Sequence, residues 1–394
     1  MEEWRKYKLK DFIEFNPKEK VPQGELCRKI SMDQITPFTR FVESNIYEVY
    51  KGGSKFRNYD TIMARITPCL ENGKTAYISS LHPEEVAVGS TEYIVLRKRE
   101  NISDSKFIFY LAISPIVRDI AIKSMVGSSG RQRVQQDVLE NYEIPIPSLP
   151  TQKNIAHILS VLDDKIELNK RINDNLEQQA QALFKSWFVD FEPFKDGKFV
   201  DSELGMIPEG WRVGNLLDIA KLYDAKRKPL SSRERENMKK IYPYYGATSI
   251  MDYVDKYIFD GTYLLMGEDG SVMDDKGYPY LQYVFGKFWS NNHAHVMQGK
   301  NNFSTEMLHS LLLKKNISPI VTGAVQAKIS QANMRKILIT QPPHEITIIF
   351  SSLIKPIYEI RKKNELENQR LSILRDTLLP KLMSGELKIN DINN

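Results

Sequence analysis

No run of eighteen apolar residues occurs in this 394-residue chain, so no membrane-spanning helix is expected. Cysteine is nearly absent. Cys27 and Cys69 stand far apart with no CxxC spacing, which excludes a disulfide framework and points to a reducing compartment. The opening MEEWRKYKLK lacks the apolar stretch of a secretory leader, so a cytoplasmic location is expected. Histidine is scarce, and only His293 and His295 stand two apart, as on one side of a strand. No third ligand is suggested near them, so both read as structural and no metal site is expected. Charge of one sign is not in large excess. A net charge of +5 permits a nucleic-acid partner without requiring one.

What the chain does have is a second copy of itself. A shift of 195 pairs Ile144 with Ile339 and Pro147 with Pro342. WRKYKLKDFI at 4–13 aligns with WRVGNLLDIA at 211–220, a shift of 207. Between these, TIMAR at 61–65 aligns with YLLMG at 263–267, and STEYIV at 90–95 with NNHAHV at 291–296, at shifts of about 202. The chain therefore reads as globular half, helix, globular half, helix. The expected boundaries are 1–150 and 211–343 for the globular halves and 151–188 and 344–388 for the helices. Residues 189–210, rich in Pro, Gly and charge and without a period, read as a linker. Short β-rich runs (AYISS, YIVLR, ILIT) alternate with helical stretches such as 105–123. The fold class is α+β, with α/β-like mixing, and with a pseudo-two-fold internal repeat.

The first helix carries a heptad seam: Ile155, Leu159, Leu162, Ile166, Asn169, Asn173, Leu176, Ala180, Leu183, Trp187. Its two central positions are asparagines, and the shift of 195 lands them on Asn364 and Asn368. If the helices pack antiparallel, a constant residue sum of 537 sets apolar against apolar along the seam. The same sum sets Asn169 against Asn368 and Asn173 against Asn364. Such a polar layer fixes register and orientation. Arg361 and Arg375 fall on the seam, so the stripe there is expected to lean on Ile360 and Leu374. Pro380 is expected to kink or end the second helix. A helix over 151–188 would be about 57 Å long, a spacer suited to reading two separated marks on one long partner.

The helix-and-linker sequence PTQKNIAHILSVLDDKIELNKRINDNLEQQAQALFKSWFVDF with SELGMIPEGW, and the ending RDTLLPKLMSGEL at 375–387, resemble the specificity subunits of type I restriction–modification systems. ARITPCLENGKTA at 64–76, GEDGSV at 267–272 and GKFWSNNHAHV at 286–296 resemble segments of their target recognition domains. The resemblance spans nearly the whole chain. It implies two target recognition domains on double-stranded DNA, each reading one half of a bipartite, asymmetric site, with two long antiparallel helices setting the spacer. It also implies two modification (methyltransferase) subunits and two restriction (translocase–nuclease) subunits as partners. S-adenosylmethionine, ATP and Mg would be used by those partners, with no cofactor on this chain.

The residues agree that no chemistry is carried here. An adenine methyltransferase of this class needs Asn-Pro-Pro-aromatic, and neither FNPKE at 15–19 nor QPPHE at 341–345 qualifies. The GKT at 73–75 lacks the glycine at 68 that a phosphate-binding loop needs. Asp163, Asp164 and Glu167, lying between seam positions, read as a solvated face. No catalytic residue is assigned. Alternative readings are a free-standing DNA-binding regulator and an enzyme of unknown type built on GEDG and HAH.

Base edges are read chiefly by Arg, Asn and Gln, and phosphates by Lys, Arg, hydroxyls and amides. The loop GSSGRQRV at 127–134 is the best candidate: its small residues give mobility, and Ser128, Arg131, Gln132 and Arg133 give contacts. Its counterpart, GAVQAKI at 323–329, offers Gln326 and Lys328. Arg65 and Lys74 bracket a turn. Glu268, Asn291, Asn292 and His293 are candidates in the second half, although GEDG could be only a turn. AKRKP at 225–229 reads as general phosphate attraction.

Overall fold

The computed structural model describes residues 4–323 and 326–388. The chain packs as two units, Met1–Lys170 with Glu365–Asn394, and Arg171–Asn364. In the first unit a four-stranded sheet orders strands 13–15, 93–98, 61–64 and 75–77. A second four-stranded sheet orders 47–49, 26–30, 87–89 and 54–56, and 5–8 pairs with 143–146. Phe107, Phe109 and Leu111 of the helix Ser105–Ile113 pack with Leu9, Phe12 and Ile94 of the main core. That core also holds Ile155 and Leu159 of the first long helix, and Leu379, Leu382 and Met383 near the end of the second.

In the second unit six strands join in one sheet, ordered 220–222, 294–299, 259–267, 281–290, 242–245 and 250–254; 212–215 pairs with 338–341. The stretch expected as a linker is packed: Phe191 and Phe194 lie edge-on to Trp211, with ring centroids 5.3 and 5.2 Å away. Strands 199–200 and 207–208 pair within it.

Strand register gives the repeat residue by residue. Arg5 faces Ile146 in one half, and Arg212 faces Gln341 in the other, which the shifts of 207 and 195 reproduce. Met63 faces Ile94, while Met266 faces His295. TIMAR therefore falls on LLMGE at 264–268, one residue beyond the string alignment, and Arg65 corresponds to Glu268.

The long helices run Leu149–Phe188 and His344–Ser384. In the first unit Asn169, fully buried, donates to Asn368 Oδ1 at 2.9 Å and to Glu367 at 2.8 Å. In the second unit Asn364 donates to Asn173 Oδ1 at 2.9 Å, and Trp187 packs on Phe350. Three expectations are corrected. Ile360 and Leu374 are exposed, because the seam arginines are paired instead of displaced. Arg375 binds Asp163 at 2.8 Å, both nearly buried, and Arg361 binds Glu177. Asp163 is therefore no solvated face; Tyr110 Oη also donates to it at 2.6 Å, and Arg40 pairs with Asp164. The helix also continues through Pro380 to Ser384. The hydrogen bond lost there is offset by Leu379, Leu382 and Met383, all packed in the core.

Candidate nucleic-acid interface

In the first unit the loop after residue 125 is a hydrogen-bonded reversal. Val126 and Arg133 exchange backbone bonds of 3.0 and 2.9 Å, and Arg131 N–H donates to Ser128 O at 3.0 Å. Gly127 and Gly130 supply the positive φ values, 134° and 76°, that close the turn. The returning segment pairs with the Arg65 segment: Val134 N–H to Arg65 O at 2.9 Å and Thr67 N–H to Gln132 O at 3.0 Å. A third segment joins them through Arg65 N–H to Glu92 O at 2.9 Å. The Arg133 guanidinium closes on both Glu92 oxygens at 2.7–3.0 Å. That pairing holds the Glu92 carboxyl below the usual carboxylate range.

The second unit builds the same frame. Ile329 N–H donates to Glu268 O at 2.8 Å, Gly270 N–H to Ala327 O at 2.9 Å, and Glu268 N–H to His293 O at 2.8 Å. Thr322 and Lys328 exchange bonds as Val126 and Arg133 do. Even a local turn is repeated: Ser90 Oγ caps Glu92 N–H at 3.1 Å, and Asn291 Oδ1 caps His293 N–H at 2.8 Å. Arg65, Glu92 and Arg133 thus correspond to Glu268, His293 and Lys328. Ala324 and Val325, in the counterpart loop, lie outside the described residues.

The candidates separate by what their heads do. Ser128, Arg131, Asn292, His293, Gln326 and Lys328 are exposed, with Gln132 half-buried beside them. Arg133 is exposed but held by Glu92, and His293 pairs with Asp269. Lys74 is directed inward, its ammonium 2.6 Å from Met32 O. Asn291 is buried, its amide 3.3 Å from Met251 Sδ. Arg65 is half-buried beside Glu92.

Glu268 belongs to an internal charge cluster. Arg227 bonds it at 2.5 Å and the Ala294 carbonyl at 2.7 Å. His295, 1% exposed, sits between Asp224 (Nδ1, 2.7 Å) and the carbonyl of Ile329 (Nε2, 2.8 Å). Both ring nitrogens face acceptors, an arrangement that favours the doubly protonated, cationic ring. Burial opposes that charge, but the hydrogen bond and attraction of Asp224 outweigh it and the pKa is raised. Asp224 is correspondingly lowered: burial pushes it up, and His295 pulls it down further. Asp224, Glu268 and His295 bring ligand atoms within 4.8 Å of one another. In this arrangement the same atoms are engaged by one another, by the Ile329 carbonyl and by Arg227, so the cluster reads as an internal ion-pair network. The cluster pins Glu268 and Ile329, hence the frame. Sequence reading passed over Glu92 and Asp224, and took Arg227 within AKRKP for general phosphate attraction where it is an internal clamp on Glu268; the repeat itself was the available signal for Glu92, since it falls on His293.

The type I restriction modification DNA specificity domain matches residues 1–178 and again 208–368. The chain belongs to that family. Among its relatives, the type I restriction enzyme MjaIX specificity subunit of Methanocaldococcus jannaschii is 31% identical over 308 residues, covering 73% of this chain and 70% of that one. The HindI specificity subunit of Haemophilus influenzae is 25% identical over 411 residues, covering 83% and 86%. The crystal structure of the S subunit of a type I restriction–modification system from M. genitalium shares the fold, with TM-score 0.53 at 16% identity over 97% of this chain and 96% of that one. No helix among the described residues is long and apolar enough to cross a membrane.

Proposed function

We propose that the chain is the non-catalytic, DNA-reading specificity subunit of a type I restriction–modification complex, with each globular half reading one half of a bipartite duplex target. The observation that carries this is the duplicated frame. The two halves hold three backbone segments in one hydrogen-bonded arrangement, yet set different side chains on it: Arg65, Glu92 and Arg133 against Glu268, His293 and Lys328. One scaffold with two side-chain sets suits two unlike half-sites. Arg131, Gln132, Asn292 and Gln326 are placed to reach DNA, together with Lys328, which lies 3.9 Å from Glu268, and the open edge of Arg133; bidentate contacts to base edges discriminate sequence.

In this reading two modification subunits and two restriction subunits assemble on the chain in the cytoplasm. They supply S-adenosylmethionine, ATP and Mg chemistry, and this chain supplies the address. Replacing residues 1–150 by the first half of another family member should change one half of the methylated sequence and leave the other. Methylation mapping by single-molecule sequencing reads the result, and alteration of both halves would refute the two-reader arrangement.

A further inference from the structure

Positive charge is concentrated in one place. Residues 225–240, AKRKPLSSRERENMKK, hold seven basic and two acidic side chains, a surplus equal to the whole chain's net +5. The second globular half, 211–343, has 18 basic and 12 acidic residues, against 22 and 20 in residues 1–150. The segment belongs to a small body with its own core of Leu230, Tyr244 and Val254, on the strand pair Tyr242–Tyr245 and Ile250–Val254. That body adjoins the candidate frame: Asn291 N–H donates to Tyr245 O at 3.1 Å, and Arg227 is the residue that clamps Glu268.

Three of the seven cations serve the fold. Arg227 binds Glu268, while Arg235 and Lys240 share Asp252. The other four, Lys226, Lys228, Arg233 and Lys239, are exposed and make no ion pair among the described residues. Lys226 rests over the Tyr223 ring, 5.5 Å from its centroid. These four cations share the segment with only two acids, Glu234 and Glu236, of which Glu234 feels Lys228, and the remaining positive surplus attracts a polyanion. Duplex DNA, with one negative charge per roughly 1.7 Å of axis, is such a partner.

We propose that residues 225–240 form a phosphate-gripping arm beside the second frame, supplying sequence-independent affinity through Lys226, Lys228, Arg233 and Lys239. The proposal rests on the DNA-reading function above. It separates two tasks: the frame distinguishes bases, and the arm holds the backbone. Its partner could otherwise be an acidic face of an assembled subunit, and the test distinguishes the two.

The test replaces all four by glutamine (Lys226→Gln, Lys228→Gln, Arg233→Gln, Lys239→Gln) in the full chain within its complex. Affinity for a target duplex and an unrelated duplex is measured against salt concentration. Each phosphate contact contributes about 0.9 to the slope of log K on log salt. The expected result is a slope lower by about 3.6 on both duplexes, with their affinity ratio kept and the unfolding temperature not lowered. An unchanged slope would overturn the arm. So would loss of subunit assembly at unchanged slope, which would assign the patch to a protein partner. A collapsed affinity ratio would make these residues base readers and overturn the separation of tasks. A wild-type complex with no preference for any duplex would defeat the specificity reading instead, and the slope comparison would still decide the arm.

Discussion

Glu92 offers both carboxylate oxygens to Arg133 and leaves that guanidinium one free edge. An arginine so held loses little freedom on meeting a base, so in the proposed function Glu92 acts as a positioning residue for Arg133. Glu92→Gln should relax preference at one position of the first half-site by roughly ten- to hundredfold, leaving the second half-site and the salt slope alone. Uniform weakening on all sequences would show the pair to be only a brace for the loop. His295 gives a pH prediction confined to the second half. Its folded pKa is raised, so its contribution to stability is complete below the ordinary histidine value and is lost as pH rises through the folded pKa. Asp224 is lowered, and its contribution is present above the ordinary carboxylate value and lost on acidification. Unfolding temperature should therefore fall as pH rises above the ordinary histidine value and through the folded one, and His295→Asn should flatten that limb. An unchanged limb in the variant would place the titration elsewhere.

The seam shows where one-dimensional patterning works and where it stops. Apolar positions at heptad spacing mark a buried stripe because any apolar side chain profits from burial there, whatever it faces. The asparagines were legible because both copies carry them at one offset. Arg375 and Asp163 were not: a charged residue at a seam position looks like a misfit until its partner, 212 positions away, is known. The sheets diverge for a similar reason. Frame strands keep their register in both halves, while the intervening segments, 16–60 and 223–258, build different sheets on it. The frame residues themselves were partly legible as polar loops, but Lys74 and Asn291 point inward, which composition does not report. Two stability experiments follow. Asp163→Ala strands Arg375 in the core and should cost about 3–5 kcal/mol by chemical unfolding; a change under 1 kcal/mol would mean that water reaches the pair. Asn169 Oδ1 is buried without a hydrogen-bond partner among the described residues, so the paired change Asn169→Leu with Asn368→Leu should stabilise by about 1–3 kcal/mol. A lower unfolding temperature would show the layer to be fully satisfied in solution.

At the scale of the whole molecule, each long helix contributes residues to both packed units. Spacer length belongs to the helices in the proposed function, and the structure tells where to lengthen them. An insertion near 188–190, after the first helix, would part Phe188 from Trp211 and Phe350. Seven residues added after Lys170 and seven after Leu366 preserve the heptad and both asparagine pairs. They add about 10 Å of helix, or roughly three base pairs at 3.4 Å each. Methylation mapping should find both half-sites unchanged and the spacer longer; the original spacer would mean that the helices do not measure it. The first unit also has a history in time. Its core is closed by Leu379, Leu382 and Met383, translated some two hundred residues after the first segment of that unit ends at Lys170. At 5–20 residues per second the nascent first half waits on the order of 10–40 s with apolar surface uncovered, while the second half can finish beforehand. A chain released early at its carboxyl end should therefore lose the reader made first and keep the one made last.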